Sequence, residues 1–529
     1  MLRRLGQCPF LLISRGIRGQ VCSGAKPRRR SVPLEQQISD ELRFPLVDDQ
    51  LQRLVKESNL KQHKDDRPQK TRQKEPQKIK SKNNLKKIKP RRNTPLTSPV
   101  TCEDQHQLLA QVVTPLCQVP YYQQLKMKEH QTQKVLQVLS KRLTEVRAPV
   151  VRTVRGLPCP LEPTRPSPDL IAYRNKDEFG IRTGVDGDPK TVGFFVGRPS
   201  DPLMVCVPPT YLINMKESHK FIVQSFQNYI RQSAHDACHQ FDDGGIWRNI
   251  TVRSTQSGDK MACVVIHPQQ LPAEGIQEVM EDLRRYFFEG EGSECELDSL
   301  YLQACKHTRC TREQAPLQLV AGKEHITETC CDLTFQISPD AFFQINTRGA
   351  EVLYRTLQEI AEVSPITTLL DICCGTGTIS LVMAPHVRGT VGIDEITGAI
   401  EDAKKNAYNN SISNTTFIQG KAEKILPKLT QTLRNCADVV AVVNPARAGL
   451  HPSVIQTIRQ CEAINKLIYI SCKPDGFAME NFVSLGSTRS TGVKKDHSAP
   501  FVPRYAVPVD MFPHTDHVEL VLLFDRVTN

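Results

Sequence analysis

The chain has 529 residues, of which 39% are hydrophobic and 24% are charged, and its mean hydropathy is −0.37. It is far longer than the ~150 residues expected of one domain, so we expect two or three domains with tails. The mixed composition excludes collagenous and coiled-coil proteins, and no apolar run approaches the ~18 residues of a membrane-spanning helix, which predicts a protein without a membrane partner.

The positive charge is concentrated at the N-terminus. The net charge is +12, yet residues 1–34 contain eight Arg or Lys and no acid, and residues 61–93 contain fourteen bases against three acids. Residues 94–529 are therefore slightly acidic. A nucleic-acid-binding surface on that part of the chain needs a local basic patch, because its net charge gives no support.

The first 34 residues have the composition of a targeting segment. Residues 1–34 mix Arg with Leu, Phe and Ile, and the first acid is Glu35. This pattern is typical of a mitochondrial transit peptide and predicts the mitochondrial matrix; a basic tail without a targeting role is the alternative. Residues 35–99 are predicted to be a basic disordered linker, because the stretch 61–92 has too few apolar residues to fold.

Eighteen cysteines lack the spacing of a disulfide framework or of zinc and iron–sulfur ligand pairs. Adjacent pairs occur at Cys330–Cys331 and Cys373–Cys374, and Cys305 and Cys310 are more loosely spaced. We expect reduced thiols and no metal site.

Residues 100–340 are predicted to form an α+β module. Apolar residues at helical spacing predict a helix over 131–146, and a second helix is predicted over 276–287. β-rich runs predict strands at 192–196 and 261–267.

Residues 341–529 are predicted to form an α/β domain. Beyond about Ser364, short β-branched runs alternate with helical segments, which favours a mostly parallel sheet covered on both faces. The five predicted strands lie in ITTLLDICC, TVGIDE, ADVVAVVNPA, NKLIYISCKP and HVELVLLFDR.

The first of these strands leads into a glycine-containing turn. Asp371 ends the strand, and Gly375 and Gly377 let the backbone turn tightly beside a ligand. The third glycine of the dinucleotide fingerprint is missing, which disfavours NAD. Asp394 ends the next strand, where a carboxylate can bind ribose hydroxyls, so an adenosine-type ligand is predicted. The alternative is a tight turn and a surface aspartate.

Two later strand ends carry polar or nucleophilic side chains. Asn444 precedes Pro445, and a polar amide at this edge of an open α/β sheet points into the ligand crevice. Cys472 follows another strand end, where the neighbouring Lys473 is expected to favour the thiolate. The alternative for any one cysteine is a small buried hydrophobe.

The last predicted strand begins with an acid. Glu519 alternates with apolar residues, and its alternative interpretation is a solvated strand residue. His514 and His517 precede it, but two ligands without a third do not make a metal site.

Together, these segments resemble the RNA uracil-5-methyltransferase family, the tRNA (uracil-5-)-methyltransferases that make ribothymidine in the T-loop. YRNKDEFG (173–180) resembles the family's RNA-facing module more weakly. With the transit-like start, the resemblance is closest to the mitochondrial vertebrate member. The stronger resemblance lies within 338–526, in FFQIN (342–346), DICCGTGTIS, VGIDE, NPARAGL, YISCKP and PHTDHVEL.

The resemblance implies a class I Rossmann-like methyltransferase domain that uses S-adenosylmethionine. It implies Cys472 as nucleophile and Glu519 as proton acceptor. The expected substrate is tRNA, with rRNA as an additional substrate. The residues it implies for the cofactor are Gln344, Asp371, Gly375, Gly377, Asp394 and Asn444.

One departure from the family pattern leaves a second function open. The family usually has Asp-Pro-Pro-Arg where this chain has Asn444-Pro445-Ala446-Arg447, so an amide replaces a carboxylate. The alternative is an RNA-binding or folding factor that retains a methyltransferase shell with little or no activity. Cytosine-5 methylation is disfavoured, because those enzymes use two cysteines in separate strand-end motifs.

Overall fold

The computed structural model describes residue 96 and residues 98–150, 152–153, 155–198, 200–308, 310, 314–488 and 498–527. The predicted transit peptide and nearly all of the predicted linker lie outside these residues, so both stay predictions. No helix in the described ranges is long and apolar enough to cross a membrane.

The first half of the described chain forms a seven-stranded sheet with the order β3-β2-β1-β4-β5-β6-β7. All neighbours are antiparallel except β5 and β6. The elements are α1 (Gln105–Val113), α2 (Tyr121–Glu145), β1 (Lys176–Arg182), β2 (Thr191–Val196), β3 (Val205–Val207), α3 (Glu217–Gln232), β4 (Trp247–Ser254), β5 (Lys260–Ile266), α4 (Ala273–Phe288), β6 (Ser299–Ala304) and β7 (Gln318–Gly322). The predicted α+β character and the four predicted elements of this part are confirmed.

The second half forms another seven-stranded sheet, with the order β12-β11-β10-β13-β14-β16-β15. A small hairpin, β8 (Ile326–Cys330) and β9 (Leu333–Ile337), precedes it. The other elements are α5 (Thr347–Ala361), β10 (Thr367–Ile372), α6 (Thr378–Met383), β11 (Gly389–Asp394), α7 (Thr397–Asn409), β12 (Thr415–Gln419), α8 (Ala422–Leu433), β13 (Asp438–Val443), α9 (Pro452–Gln460), β14 (Ile464–Ser471), α10 (Phe477–Gly486), β15 (Phe501–Val509) and β16 (Glu519–Arg526).

The second sheet confirms the predicted α/β fold. The strands β12, β11, β10, β13 and β14 are parallel, and β16 and β15 add an antiparallel edge. Residues of β10 and β13 are buried on both faces of the sheet, which explains their continuous apolar runs. Two separate apolar cores cover the two faces.

The sequence did not reveal β15, which pairs with β16 at the edge of the sheet. This strand contains Pro503 and Pro508. Proline cannot donate to a strand ladder, so proline in a run disfavours a central strand, but it is tolerated at an edge.

Helix α2 belongs to the core of the second sheet, although it precedes the first sheet in the chain. Leu136, Leu139 and Leu143 are almost completely buried and pack in the same core as residues of β14 and β16. The predicted division of the chain at residue 340 stays a prediction, and α2 shows that an earlier segment also covers the second sheet.

The expectation of reduced thiols throughout the chain is wrong at one pair, because Cys305 and Cys310 form a disulfide. These two cysteines are five residues apart and lie in the loop between β6 and β7.

We predict that Leu139→Ala lowers the free energy of unfolding by about 2–5 kcal/mol, because it leaves a cavity under the second sheet. The control is Val138→Ala on the same helix, where the side chain is 52% exposed and the expected change is below about 0.5 kcal/mol. Denaturant unfolding measures both, and equal effects would contradict the placement of α2.

Candidate active site

A cavity of about 1300 Å³ lies between the two sheets, at the carboxyl ends of β10, β11, β13 and β14. This is the edge of an open α/β sheet where ligands bind. Its volume exceeds the roughly 300–1,000 Å³ of an ordinary small-molecule pocket, so it has room for two ligands side by side. The first half of the chain contributes Tyr173, Arg174, Phe194, Phe195, Asn214 and Met215 to its wall.

The structure brings six of the eight predicted site residues to this cavity. These six residues are Gln344, Gly375, Asp394, Asn444, Cys472 and Glu519. Asp371 and Gly377 do not line it.

The turn after β10 presents backbone to the cavity. Gly375 has a φ of +56°, and an added Cβ would meet no atom within 4 Å, so the space beside it is open. Asp394 holds this turn in place, because its Oδ2 accepts a hydrogen bond from Gly375 N at 2.9 Å. Its Oδ1 accepts another from Ile396 N at 3.0 Å. The arrangement offers an open backbone turn beside a fixed carboxylate.

The two predicted residues outside the cavity support the turn from behind. Asp371 is fully buried, and its Oδ2 accepts hydrogen bonds from Ser380 N at 3.1 Å and Ser380 Oγ at 2.8 Å. Burial raises the pKa of Asp371 to about 7, and its Oδ1 has no hydrogen-bond partner within the described chain. Gly377 has a φ of +80°, and a Cβ there would lie 2.8 Å from Phe417.

Gln344 lies where the two halves of the chain meet. Its backbone oxygen accepts a hydrogen bond from Asn175 Nδ2 at 2.8 Å, and Asn175 N donates to Ile345 O at 2.8 Å. Two residues later, Asn346 caps α5 by accepting from Gly349 N. Phe342, in the same segment, lines the cavity and is 63% exposed. The segment 342–346 is thus held by its later residues, with an aromatic ring left free at the rim.

Cys472 and Glu519 lie side by side at one end of the sheet. Strands β14 and β16 are antiparallel, and their last registered pair is Ser471 with Leu520. Continuing this register by one residue places Cys472 opposite Glu519, and both residues line the cavity. Glu519 is only 3% exposed, so its interpretation as a solvated strand residue is wrong.

Burial and one cation set the protonation of this pair. Burial raises the pKa of Glu519 to about 8, opposed by the charge of Arg447. Burial and the Glu519 carboxylate also raise the pKa of Cys472, opposed by a hydrogen bond and the charge of Arg447. The cation that favours the thiolate is therefore Arg447, and not the adjacent Lys473 as the sequence suggested.

A second cysteine on the cavity wall has a different electrostatic environment. Cys373 also lines the cavity, and burial raises its pKa to about 12. The charged groups near it are acids, including Asp394 and Glu395, which raise its pKa further. Because the thiolate is the nucleophilic form, Cys472 beside Arg447 is the better nucleophile of the two.

Asn444 stands at the end of β13, on the same rim. Its backbone N donates to Ile372 O at 3.4 Å, and its side-chain amide makes no hydrogen bond within the described residues. An amide offers both donors and an acceptor, so it can pair with the polar edge of a nucleobase.

Arg174 is a cavity residue that sequence reasoning missed. Its Nε donates to the buried Asp177 carboxylate, and Asp177 Oδ2 lies 2.7 Å from His219 Nδ1. His219 Nε2 lies 2.8 Å from Ser254 Oγ. The signal in the sequence that could have identified Arg174 is the polar segment YRNKDEFG, which supplies both Arg174 and Asp177. Arg174 lies at the cavity end of this chain of contacts.

The His-x-x-His pair is split by the structure. His514 N donates to Gln124 Oε1 at 2.8 Å, whereas His517 lines the cavity. Within the described part of the chain, no group of three or more His, Cys, Asp or Glu side chains could hold a metal ion.

Known proteins resemble this chain in sequence and in fold. The family described as methyltransferase domain matches residues 364–492. The tRNA (uracil-5-)-methyltransferase homolog B of Pongo abelii is 45% identical, over 79% of this chain and 87% of its own length. Homolog A of Mus musculus is 40% identical, over 79% and 69% respectively. The structure of the Pyrococcus abyssi tRNA (uracil-54, C5)-methyltransferase with S-adenosyl-L-homocysteine has a TM-score of 0.54 and 22% identity, over 77% of this chain and 84% of its own, and shows a common fold.

We predict opposite effects of two substitutions on the pH at which Cys472 reacts with iodoacetamide. Glu519→Gln removes a negative neighbour, so alkylation should begin at lower pH; Arg447→Gln removes the cation, so it should begin at higher pH. Mass spectrometry of the Cys472 peptide measures this, with the exposed Cys102 in the same sample as the control. Parallel shifts in the two variants would contradict the proposed electrostatics.

Proposed function

The chain belongs to the tRNA (uracil-5-)-methyltransferase family, and from this premise we propose that it methylates carbon 5 of a uridine in tRNA with S-adenosylmethionine as donor. The observation that carries the proposal is the adjacency of Cys472 and Glu519 at one end of β14 and β16, facing a single cavity. Methylation at this carbon needs a nucleophile and a base on the same uracil ring.

The residues on the cofactor side fit the methyl donor. The open backbone at Gly375 can approach an adenosine and its amino-acid chain, and Asp394 can accept hydrogen bonds from ribose hydroxyls. Gln344 reaches the same cavity from the junction of the two halves. S-adenosylmethionine supplies an electrophilic methyl group when bound there.

Cys472 makes carbon 5 of the uracil reactive. Carbon 5 is a poor nucleophile, so the Cys472 thiolate first adds to carbon 6, and the ring electrons move onto the carbonyl oxygen as an enolate. Carbon 5 of the enolate then takes the methyl group as the sulfur–methyl bond of the donor breaks, which leaves S-adenosyl-L-homocysteine. Arg447 favours the thiolate that starts this sequence.

Glu519 completes the reaction. After methylation, carbon 5 still carries its hydrogen, and the Glu519 carboxylate accepts this proton while the bond between sulfur and carbon 6 breaks. The double bond re-forms and the thiolate leaves. Because the pKa of Glu519 is about 8, adduct breakdown should accelerate as the pH rises toward that value.

The RNA must present a base that has left its stack. A stacked uridine cannot reach the cleft between two sheets, so it must flip out, which costs a few kcal/mol. The exposed ring of Phe342 offers a stacking surface at the rim, and the exposed Arg447 offers positive charge for nearby phosphates.

We further propose that the substrate is position 54 of the T-loop in mitochondrial tRNA, and that mitochondrial rRNA is a second substrate. The T-loop assignment is supported by the Pyrococcus abyssi relative, whose name specifies uracil-54. The mitochondrial assignment is supported by the basic composition of residues 1–34.

We predict that Cys472→Ala abolishes 5-methyluridine formation while leaving binding of the methyl donor unchanged, because only the addition step is lost. In cells lacking the protein, 5-methyluridine is mapped by mass spectrometry in mitochondrial tRNA, mitochondrial rRNA and cytosolic tRNA after complementation. Cys436→Ala, at a half-buried thiol outside the cavity, should restore methylation fully. Methylation restored by Cys472→Ala would refute the enzyme mechanism, and restoration confined to cytosolic tRNA would refute the proposed location.

We predict that Glu519→Gln traps a covalent RNA adduct and slows turnover by about 10²–10⁴-fold, because addition proceeds without the base that completes the reaction. A slower band on a denaturing gel reports the adduct. The double variant Cys472→Ala/Glu519→Gln should give no such band. Absence of an adduct in the single variant would count against Glu519 as the base.

The alternative function, an RNA-binding factor without turnover, is motivated by Asn444 in place of the family's aspartate. The same complementation decides it. Such a factor transfers no methyl group, so 5-methyluridine would stay absent in cells complemented with the wild-type protein. Cells complemented with the Cys472→Ala variant would then grow as well as cells complemented with the wild-type protein. Turnover of the donor by the wild-type protein excludes this alternative.

A further inference from the structure

The loop between β15 and β16 contributes to the cavity wall. Residues 510–518 connect the two strands, and Phe512, Thr515 and His517 line the cavity. About two to five residues are usual for a hairpin connection, so a loop of this length needs other contacts to fix its shape. Glu519 follows the loop and pairs with Val509, the residue just before it.

A lysine from a distant helix is buried against the start of this loop. Lys128 on α2 is 1% exposed, and its Nζ lies 2.5 Å from Asp510 Oδ1. The same Nζ donates to Phe512 O at 2.9 Å, and Phe512 N donates to Asp510 Oδ1 at 3.0 Å. The ammonium group thus joins the side chain and the backbone of one tight turn.

Two more side chains on the same face of α2 hold the loop. Tyr121 Oη donates to Asp510 Oδ2 at 2.9 Å. Gln124 Oε1 accepts from His514 N at 2.8 Å, and Gln124 Nε2 lies 3.1 Å from His514 Nδ1. Positions 121, 124 and 128 share one helix face, because they are three, four and seven residues apart.

The residues between these contacts are also held. Asn346 Nδ2 donates to Met511 O at 3.1 Å, and Tyr173 Oη donates to Pro513 O at 3.0 Å. Every residue from 510 to 514 therefore has a hydrogen bond to another part of the chain or to its own turn. Near the end of the loop, Thr515 Oγ1 donates to Phe512 O at 2.8 Å, a contact within the loop itself.

Stability alone does not account for the buried ion pair. Removing two charges from water is costly, and a pair of well-packed apolar residues is often as stable as a buried salt bridge. What apolar residues cannot provide is a set of directed hydrogen bonds to the loop backbone.

We propose that Lys128, through Asp510, is a positioning residue that sets the placement of Glu519 and of the cavity wall before it. This inference rests on the proposed function, since it concerns the base of that reaction. Loosening the turn at 510–512 frees the segment next to Val509, the residue that pairs with Glu519, so the carboxylate loses its alignment with carbon 5. Addition to carbon 6, which depends on Cys472 and Arg447, continues.

The test uses Lys128→Met/Asp510→Asn in the full chain, because removing both charges leaves no unpaired ion. We expect kcat to fall about tenfold, as for loss of a charged hydrogen bond, with covalent adduct accumulating on denaturing gels. The KM for the methyl donor should stay within about twofold, which separates positioning from general damage. Lys134→Met, at an exposed position of the same helix, is the matched control and should behave as wild type.

Each outcome decides the proposal. Turnover equal to that of Lys134→Met overturns it, and so does parallel loss of adduct formation and donor binding in a folded variant. If the double variant does not fold, Tyr121→Phe removes one bond to Asp510 and is judged by the same adduct and turnover criteria. Glu519→Gln is run in parallel: no adduct in that variant refutes the assigned base, whereas an adduct there with normal turnover in the Lys128 variant refutes only the positioning role.

Discussion

The pairing of β14 with β16 is the constraint on which the site depends. It brings Cys472 and Glu519 together although 46 residues separate them in the sequence. The register is fixed from both faces, because Leu520, Leu522 and Phe524 pack in one core while Val521 and Leu523 pack in the other. A slip of one residue would exchange the two sets and take Glu519 away from the thiol.

Electrostatics then divides the work within that pair. Both groups lie in a site where burial favours the neutral form, so the thiol and the carboxylic acid resist ionisation. Arg447 is the shared counter-charge. Since two interacting groups titrate as a pair, ionisation of either one raises the pKa of the other. The Arg447 cation lowers the free-energy cost of forming first the thiolate and then the carboxylate.

The sequence indicated the parts of the site that follow from strand ends. Apolar β-branched runs identified β10, β11, β13, β14 and β16. Polar residues at or just after the ends of the parallel strands lie on one rim, because parallel strands end at the same edge, and Glu519 begins the antiparallel β16 at that edge. Asp371 shows the limit of that rule: it is the last residue but one of β10, and its side chain contacts Ser380 behind the turn rather than the cavity.

Other features depend on contacts between distant segments, which local patterns do not encode. Arg447 rather than Lys473 acts on Cys472, because β13 and β14 are neighbouring strands and the loop after β13 brings Arg447 within hydrogen-bonding distance of the thiol. The sequence predicted this helix only over 131–146, whereas Lys128, in the earlier part of α2, is buried against a loop 382 positions later. The prolines of the edge strand β15 prevented its prediction as a strand. Tertiary packing determines each of these three features.

The most direct measurement of the central claim is the structure of this protein bound to S-adenosyl-L-homocysteine and to a T-loop RNA that carries 5-fluorouridine. The complex is formed by letting methylation proceed. Because fluorine at carbon 5 leaves no proton for the base to remove, the covalent adduct persists. We predict a bond between Cys472 Sγ and carbon 6, with a Glu519 oxygen within about 3.2 Å of the fluorine on carbon 5, which occupies the position of the proton. A bond from Cys373, or a Glu519 carboxylate on the far side of the ring from the fluorine, would contradict it.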